Sequence, residues 1–561
     1  MASRRDELNA YTFARKRTVG AFLLPSGGGS DEDAPRPVKA VLPSVLVGAL
    51  VVGGFAVYGV FKPGAPVGWD DGKNVIQGKQ STTRYVVIPD PDSKTKRLHQ
   101  VLNMASARLV LPADAKVVVV ADEVLDKYPN HGPAIGIPYA PDKLPTKANV
   151  SKPMKWSVCD RPGADDKQET VNQAVFVAGG DDADKLAAKD RVLDVDQALL
   201  VQQMDEQQVS AQAGAGQPAA GQGKLKLFLV DSKGRRHALA PNEPDEAKAP
   251  LVSAIFGPNA VPQRVKKDWV DTLENGSDIA FPKIDGLVAD VKAANSSVAL
   301  DNAQDRKIGR LVRFDDRFYV VGKDRLYLIT PFQAELIRQN PALQPLYNQD
   351  SDKTPRIDPI TPAEHSKLKS DTPLMGDGGK DWPAKTGAPV NNWQAPKDAK
   401  TVVCSTYDGV AEDGKTPRRS IWAGPAYPVS YGATGATVSA HVTPGLGLFY
   451  RALDNGAGGS GNDYLITETG LRYAVPASST GGKGGVATPA PGQPSPTASK
   501  TPSAQPTDPA APQQPQEETG GNQARLGYQG LQPVPVPQAW SNLVPAGPAL
   551  NSKSAAQQQN A

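Results

Sequence analysis

The sequence predicts a mixed α+β protein, with a single N-terminal transmembrane helix followed by an elongated extracytoplasmic domain of hairpin-helix repeats. An uncharged run covers residues 41–61, and paired short strands followed by a short helix recur along the 500 residues beyond it. The chain also holds 53 glycines and 52 prolines, a content that favours turns and loops over long helices.

The uncharged run begins at Val41, ends at Phe61 and contains 21 residues. At about 1.5 Å per helical residue it is about 30 Å long, which matches the hydrocarbon core of a bilayer. A cleaved signal peptide has a shorter apolar core, of about 7–15 residues, near the N-terminus and before an A-x-A-like site. A core helix of a soluble domain is also shorter. We therefore predict an uncleaved single-pass anchor.

Basic residues are concentrated before this run. Residues 1–40 hold seven Lys or Arg, whereas Lys62 alone follows closely, ahead of Asp70 and Asp71. Lys and Arg next to an anchor stay on the cytoplasmic side. The N-terminus is therefore expected in the cytoplasm of the cell, and the bulk of the chain outside the cell membrane.

The segment before the anchor, residues 1–40, is interpreted as an amphipathic helix at 4–24 and a flexible linker. Five apolar residues can share one side of this helix, namely Leu8, Tyr11, Val19, Phe22 and Leu23. The charge comes from Arg4, Arg5, Arg15, Lys16 and Arg17. Such a helix binds the inner membrane surface or docks on a cytoplasmic partner.

The net charge excludes one large class of partners. The formal charge is +3, and the basic residues form no excess cluster beyond the anchor. Nucleic-acid binding needs clustered Lys and Arg for the phosphates, so we expect no nucleic-acid partner.

Two cysteines are present, Cys159 and Cys404, and both follow the anchor. On an oxidising side of the membrane a single disulfide is the natural pairing. The alternative is two free buried thiols.

Paired strands around a polar turn occur four times. The second strand of each pair opens with or next to a basic residue, and alternation around Gly or Asp turns predicts hairpins. The pairs are 84–88 with 97–101, 226–230 with 235–239, 318–321 with 325–329, and 464–467 with 471–475.

A second motif follows some of these hairpins. Gly lies seven residues after Trp, in Trp269 to Gly276 and in Trp540 to Gly547, and an aliphatic residue follows three positions later. Pro near the start and Gly near the end predict a short helix in each. Leu125, Gly132 and Ile135 form a looser first copy. The third copy has its hairpin and a helix at 332–338, but lacks the Gly signal. Chance similarity between short motifs is the alternative to a true repeat.

Composition divides the chain beyond the anchor. Residues 62–476 are expected to form the extracytoplasmic domain, with a polar loop at 203–223. Residues 477–523 are rich in Gly, Pro, Ser, Thr and Gln, and predict a disordered insertion within the fourth repeat. Residues 524–551 complete that repeat, and 552–561 are expected to be a disordered tail.

No catalytic, cofactor or metal site is predicted. The five histidines are scattered, and two distant cysteines make no zinc site. Gly379-Lys380 and Gly482-Lys483 lack the upstream Gly and the following Ser or Thr of a phosphate loop, and we expect no such loop. Gly456-x-Gly458-x-x-Gly461 fits the dinucleotide pattern, but a strand is predicted after it where phosphate binding needs a helix. His237 and Tyr473 are expected to pack across strands.

Several stretches together resemble the EccB family, the single-pass membrane component of actinobacterial type VII (ESX) secretion systems. These are RRDELNAYTFARKR before the anchor, RLHQVLNMASARLVL at 97–111, GIPYAPDKLP at 136–145, Trp156-x-x-Cys159, LGYQGLQPVPVPQAW at 526–540 and PAGPAL at 545–550. The resemblance implies four repeats around a central β-rich domain and a disulfide between Cys159 and Cys404. The insertion at 477–523, the loop at 203–223 and the weak third repeat depart from the family.

The resemblance also implies partners and a role. The family assembles with EccC, an FtsK-like ATPase, and with EccD and EccE, in a membrane complex that exports WXG-type proteins. Our leading hypothesis is a structural, non-catalytic subunit that also associates with further copies of itself. Some relatives carry an ATPase label, so a membrane-anchored ATPase with an unorthodox site, with ATP as its ligand, is the first alternative. A cell-wall-binding module is the second.

Overall fold

The structure is a computed structural model of the full chain. It describes residues 3–23, 38–60, 64–90, 93, 95–163, 168–204, 225–288, 290–292, 294–347, 356–368, 372–391, 399–413, 416–429, 440–453, 461–477 and 521–559. Within these ranges, the side chains at 38–40, 42, 56–60, 303 and 304 are excepted.

The described residues form 22 strands in five sheets. In chain order the strands are β1 (Asn74–Gly78), β2 (Arg84–Pro89), β3 (Lys96–Val101), β4 (Lys116–Val120), β5 (Lys155–Pro162), β6 (Val171–Ala178), β7 (Ala198–Gln203), β8 (Leu227–Asp231), β9 (Arg235–Ala238), β10 (Gln263–Val265), β11 (Glu274–Asn275), β12 (Leu311–Phe314), β13 (Arg317–Val321), β14 (Leu326–Ile329), β15 (Ile357–Pro359), β16 (Val402–Val410), β17 (Pro417–Gly424), β18 (His441–Val442), β19 (Leu448–Leu453), β20 (Gly461–Ile466), β21 (Arg472–Ala474) and β22 (Val534–Pro537).

The same residues form 14 α-helices, most of them short. They are α1 (Arg4–Leu23), α2 (Val38–Val60), α3 (Met104–Val110), α4 (Asp122–Asp126), α5 (Lys147–Val150), α6 (Asp181–Leu186), α7 (Asp245–Phe256), α8 (Lys267–Asp271), α9 (Pro331–Gln339), α10 (Gln344–Tyr347), α11 (Pro362–Lys367), α12 (Asn522–Arg525), α13 (Gln538–Asn542) and α14 (Ser552–Ala555).

Residues 1–69, 77–82 and 118–129 form one compact unit, and the remaining residues form a second. In the first unit, α1 matches the predicted N-terminal helix. Arg15 lies seven residues after Leu8 and seven before Phe22, which places it within about 20° of each of them around the helix. Basic and apolar side chains are therefore mixed on this side, and the amphipathic separation is weaker than the sequence analysis expects.

Helix α2 covers nearly all of the uncharged run and contains Pro43. Phe61, the last residue of the run, lies outside the described residues. Within the described part of the chain, no helix has the length and apolar character needed to cross a membrane. The membrane anchor stays a prediction from the sequence.

The chain repeats one module four times: three strands, a helix, a fourth strand and a second helix. Repeat 1 runs from β1 to α4, repeat 2 from β7 to α8, repeat 3 from β12 to α11 and repeat 4 from β19 to α13. In repeats 2, 3 and 4 the fourth strand pairs in parallel with the first. A parallel return requires a crossover, which α7, α9 and α12 lie within. The repeat is therefore larger than the predicted hairpin plus helix.

All four predicted hairpins are confirmed as the antiparallel pairs β2–β3, β8–β9, β13–β14 and β20–β21. The turn between β8 and β9 shows what its polar residues do. The Asp231 carboxylate accepts the N–H groups of Lys233 and Arg235 at 3.0 and 2.8 Å. Gly234 takes a φ of 75°, a conformation that glycine adopts without strain.

A five-stranded sheet, β17-β16-β5-β6-β18, belongs to none of the repeats. Strands β5 and β6 come from the chain between repeats 1 and 2, and β16, β17 and β18 from the chain between repeats 3 and 4. This central sheet is therefore assembled from two distant parts of the sequence.

Neighbouring repeats share hydrophobic cores. Phe332 and Leu336 of α9 in repeat 3 lie in one core with Leu251 of α7 in repeat 2. Leu109 of repeat 1 and Phe449 of repeat 4 lie in another. Apolar side chains buried between two repeats stabilise the contact between them, by about 25 cal/mol for each Å² of apolar surface removed from water.

In the third repeat, a predicted helix occupies a different place in the module from the one that the sequence analysis gave it. The helix predicted at 332–338 is present as α9, but it occupies the place of α7, ahead of the fourth strand. The Thr330 hydroxyl accepts from Gln333 N–H, and the Gln333 side chain accepts from Thr330 N–H, so that a capping box begins the helix. The counterpart of the Trp helix is instead α11.

The described residues of the tail, 552–559, are folded, and the expectation of a disordered tail at 552–561 is wrong for them. Ala555 of α14 is fully buried. Gln559 donates its N–H to Ala134 O at 2.9 Å and its side-chain amide to Gly136 O at 2.7 Å. These two hydrogen bonds hold the tail against the loop at residues 134–136.

The predicted insertion is shorter than 477–523. Asn522 is buried, donates to Pro476 O at 2.7 Å and accepts from Ser552 N–H at 3.1 Å. Gln523 donates to Tyr528 O at 2.9 Å. Residues 521–523 are therefore part of the folded chain. Residues 478–520 lie outside the described residues, as do residues 205–223 of the predicted polar loop.

Candidate functional site

The centre of the central sheet is cross-linked by a disulfide between Cys159 and Cys404. The two cysteines are directly opposite each other on the antiparallel strands β5 and β16. Both are fully buried, in a core that includes Phe176 and Trp422. The predicted pairing is thus present, and it joins two parts of the chain 245 residues apart.

The Trp residues of the repeat motif dock two repeats onto this sheet. Trp269 in α8 and Trp540 in α13 are 0% and 1% exposed, and share one core with Trp156 and Tyr407 of the central sheet. The rings of Tyr407 and Trp540 are 6.1 Å apart. The Tyr407 hydroxyl also donates to Pro535 O of repeat 4 at 2.7 Å. Repeats 2 and 4 are therefore both anchored on the disulfide-bonded sheet.

A buried carboxyl reinforces the docking of repeat 2. Asp160 follows Cys159 and is fully buried. It accepts from Lys266 N–H at 2.7 Å, directly before α8, and from Gln173 Nε2 at 2.9 Å. Burial raises the pKa of Asp160 to about 7, against the two hydrogen bonds that favour its ionised form. This contact is therefore sensitive to pH near neutrality.

The recurring glycine of the motif lies against an aromatic ring. A Cβ atom on Gly276 would lie 2.4 Å from the His237 ring, and one on Gly547 would lie 2.4 Å from the Tyr473 ring. The first copy repeats this relationship, with Gly132 against His99. His237 and Tyr473 thus pack against the loop after the second helix, and not only across strands.

The histidines of repeats 1 and 2 make the same hydrogen bond. His99 Nδ1 lies 2.9 Å from Pro133 O, and His237 Nδ1 lies 2.9 Å from Ser277 O, each the residue after the motif glycine. An Nδ1–H donor orients each ring against that glycine. The equivalence of these positions indicates a structural role for both histidines.

Equivalent arginines connect the third strand to the Trp helix. Arg236 donates to Val270 O at 2.9 Å, and Arg472 donates to the Ser541 hydroxyl at 2.7 Å. Val270 and Ser541 directly follow the two motif tryptophans. A basic residue near the start of the second hairpin strand therefore secures, in each of these two repeats, the helix that docks on the central sheet.

In repeat 3 the tryptophan position is occupied by Glu364. The aliphatic residue of the motif lies ten positions after Trp269 and Trp540, and Leu374 lies ten positions after Glu364. Glu364 accepts from Asp301 N–H and Thr361 N–H, each at 2.7 Å, and these bonds lower its pKa. The sequence analysis missed this position because it searched for Trp and Gly, whereas the offset of ten residues would have found it.

The expectation that the sequence holds no phosphate-loop pattern is wrong. Residues 409–416, GVAEDGKT, fit G-x-x-x-x-G-K-[ST]. The first two of these residues end strand β16, and the others precede its antiparallel partner β17. Ala411 N–H donates to Thr416 O at 2.8 Å. A phosphate loop leads from a strand into a helix, whose first N–H groups face the phosphate. Here strand β17 begins at Pro417, and residues 414–415 lie outside the described residues.

The other candidate site residues that the structure describes do not come together in a metal-binding or catalytic site. Among the described residues, no group of three or more His, Cys, Asp or Glu could hold a metal ion. The strand expected after the glycine pattern is present as β20, but it begins at Gly461, which was expected to lie before it. Gly456 and Gly458 lie outside the described residues. The basic residues Arg4, Arg5, Arg15, Lys16 and Arg17 are exposed on α1. Their contact with lipid or a partner stays a prediction.

Comparison with known proteins supports the same architecture. The family model described as "Type VII secretion system ESX-1, transport TM domain B" matches residues 1–561. A Mycobacterium tuberculosis protein named "ESX-3 secretion system ATPase EccB3" is 24% identical over 560 residues, which is 98% of this chain and 88% of that protein.

Two solved structures have a similar fold. One comes from the periplasmic assembly of the ESX-5 inner membrane complex, with a TM-score of 0.55, 17% identity, and coverage of 88% of this chain and 98% of the other. The other is the EccB3 dimer from the ESX-3 core complex, with a TM-score of 0.54, 21% identity, and coverage of 86% and 100%. Since the family model matches the whole length and the fold agrees, this chain belongs to the EccB family of type VII secretion systems.

Proposed function

We propose that this chain is a structural membrane subunit of a type VII secretion core complex and supports the export of WXG-type proteins. The observation that carries the proposal is the burial of Trp269 and Trp540 in one core of the disulfide-bonded sheet. That arrangement joins modules and holds them against a common sheet, as a scaffold requires. The similar chains from ESX-5 and ESX-3 complexes support the same role.

The proposed attachment is a single transmembrane helix over Val41 to Phe61, with the N-terminus in the cytoplasm. The uncharged run and the seven basic residues before it support this orientation. The description of the family as a transport TM domain is consistent with an anchor. The repeats and the central sheet would then lie outside the membrane, where an oxidising environment preserves the disulfide.

The proposed partners are an EccC-like FtsK-type ATPase and EccD- and EccE-like membrane subunits. Self-association is also proposed, and the dimer seen for EccB3 supports it. The basic residues of α1 would contact the inner lipid surface or one of these partners.

Gentle detergent extraction of the tagged full chain from its native membrane, followed by mass spectrometry, tests the proposal. We expect an FtsK-like ATPase and a polytopic subunit to be recovered in one large assembly. Recovery of the chain alone, repeated under crosslinking, would contradict the proposal. Retention of that lone chain on purified peptidoglycan would then support a cell-wall-binding module.

A matched pair of variants tests the role of α1 in that assembly. Arg15→Glu, Lys16→Glu and Arg17→Glu together should reduce the recovery of partners. The control changes three exposed basic residues beyond the anchor in the same way, at Lys189, Lys292 and Lys553. Equal recovery with both triple variants would show that the α1 charges are dispensable.

A second candidate function is ATP hydrolysis, which the GVAEDGKT stretch and the printed names of the curated relatives favour. Purified full chain, free of the FtsK-like motor, should then hydrolyse ATP, and Lys415→Ala should abolish the activity. Lys380→Ala is the control, because Gly379-Lys380 lacks the complete pattern. Absence of hydrolysis, or equal rates in the two variants, would contradict an ATPase site in this stretch.

A further inference from the structure

A cleft of about 640 Å³ lies between the β8–β9 turn of repeat 2 and strand β17 of the central sheet. Lys233 and Arg235 line one side, and Arg418 and Arg419 line the other. Lys155 of β5 completes the set, and we call this feature the basic cleft. Five basic residues from three parts of the chain thus converge, which no sequence motif indicates.

The two walls are held close together by a glycine. A Cβ atom on Gly234 would lie 3.0 Å from Arg419 Cβ, and Gly234 also has a φ of 75°. Only a glycine combines that conformation with that close approach. The turn of repeat 2 therefore packs directly on β17, and the width of the cleft is set by the fold.

The basic charge of the cleft is only partly neutralised. Lys155 forms an ion pair with Asp408, and Arg235 with Asp231 at 2.8 Å. The exposed Arg418 donates to a backbone oxygen, Asp408 O, at 3.0 Å. In the described part of the chain, no carboxylate forms an ion pair with Arg418 or with the exposed Lys233.

Arg419 is the least exposed of the five basic residues. Its side chain is 13% exposed, and its Nε atom is buried without a hydrogen-bond partner among the described residues. Its ion pair to Glu274 is 3.3 Å long, and that carboxylate is itself 58% exposed. Burial lowers the pKa of Arg419, because a guanidinium removed from water loses solvation. A second anion beside it would offset that loss.

We propose that the basic cleft binds a multiply charged, phosphate-bearing ligand. Guanidinium groups bind phosphate oxygens through paired N–H donors, and ammonium groups add compact point charges. The cleft supplies both kinds of group on facing walls, and its volume exceeds that of one inorganic phosphate. This site is independent of the proposed role in secretion, because its residues lie outside the Trp-docked core.

Calorimetric titration of the full chain in detergent with inorganic pyrophosphate tests the proposal. We expect saturable binding that weakens between about 50 and 500 mM salt, since exposed charges are screened at high ionic strength. The variant Lys233→Gln with Arg418→Gln should raise the Kd at least tenfold. Both side chains are exposed, so the melting temperature without ligand should not change.

The matched control is Lys189→Gln with Lys292→Gln, which removes the same charge from exposed positions outside the cleft. This control should bind pyrophosphate as the unmodified chain does. Absence of saturable binding, or an equal loss of affinity in both double variants, would overturn the proposal, because it would leave only a diffuse effect of net charge.

The source of the phosphate is distinguished by a second titration. Short-chain dihexanoyl phosphatidylglycerol presents a lipid phosphate, and dihexanoyl phosphatidylcholine is its zwitterionic control. Tighter binding of the phosphatidylglycerol than of pyrophosphate, lost in the Lys233 and Arg418 variant, would assign the cleft to lipid headgroups. Tighter binding of pyrophosphate would assign it to soluble phosphates. Failure of both ligands to bind would overturn the site.

Discussion

Gly276 lies directly against the imidazole of His237, and no side chain could take its place without displacing that ring. The Cβ of an alanine at this position would lie 2.4 Å from His237 Cε1. The same relationship joins Gly132 to His99 and Gly547 to Tyr473. The recurring glycine of the sequence motif therefore indicates the place where a ring on the third strand of the module packs.

We predict that Gly276→Ala lowers the free energy of unfolding by about 2 kcal/mol, since an added methyl group in a filled space forces side chains and backbone apart. Thermal unfolding of the full chain in detergent measures this loss. Gly387→Ala is the control, because a Cβ there would meet no atom within 4 Å. An equal effect of the two variants would refute the packing explanation.

Trp269→Ala should destabilise the protein by about 3–5 kcal/mol, because it empties a fully buried site between repeat 2 and the central sheet. Repeat 2 should also become more sensitive to limited proteolysis. Trp269→Phe should retain most of the stability. Trp69→Ala serves as a control at a partly exposed position. Unchanged proteolysis of Trp269→Ala would contradict the docking role.

Cys159 and Cys404 should both be unreactive towards thiol reagents in the denatured, unreduced protein, because they are joined. The variant Cys159→Ser with Cys404→Ser should lose about 5 kcal/mol of stability, the loop-closure entropy of a link across 245 residues. Cys404→Ser alone should expose one thiol. Two labelled thiols in the unmodified chain would disprove the bond.

Asp160 should make stability depend on pH between about 4 and 7. Its pKa is about 7 in the folded protein, above the ordinary 3.8, because the carboxyl is buried. The folded state therefore keeps a proton that the unfolded state releases. The stabilising effect is full below about pH 4 and is lost as the pH rises through 7, by at most about 1.4 kcal/mol per unit.

Melting temperatures between pH 4 and 8 measure this dependence. Asp160→Asn should give a shallower slope than the unmodified chain, because the titrating group is gone. Glu243→Gln, at an exposed position, should keep the original slope. Parallel slopes for all three proteins would show that Asp160 does not titrate in this range.

Deletion of residues 478–520, with a short glycine-serine joint, should leave the melting temperature nearly unchanged. The two ends already meet, since a Cβ on Gly521 would lie 2.6 Å from Ala477 O. Deletion of 477–523 should lower the melting temperature, because it also removes the hydrogen bonds of Asn522 and Gln523. Equal melting temperatures would show that these bonds do not stabilise the fold.

Local patterns predicted the parts of this fold that local physics decides. The four hairpins follow from alternating strands around polar turns, as in the Asp231 turn, where one carboxylate bonds two N–H groups within four residues. The third repeat was harder to recognise because Glu364 caps its own helix instead of docking a ring on the central sheet. The C-terminal tail was misjudged, since its partner loop at 134–136 lies some 420 residues earlier in the chain.

The sequence by itself determined the uncharged run, the hairpins, the spacing of Trp269 to Gly276 and of Trp540 to Gly547, and the only available cysteine pair. Tertiary structure alone decided that both Trp helices bury in one core, that each motif glycine faces a ring, and that five basic residues share one cleft. Turns and helix ends depend on hydrogen bonds a few residues apart. Docking and the cleft depend on packing between segments hundreds of residues apart, which no local pattern encodes.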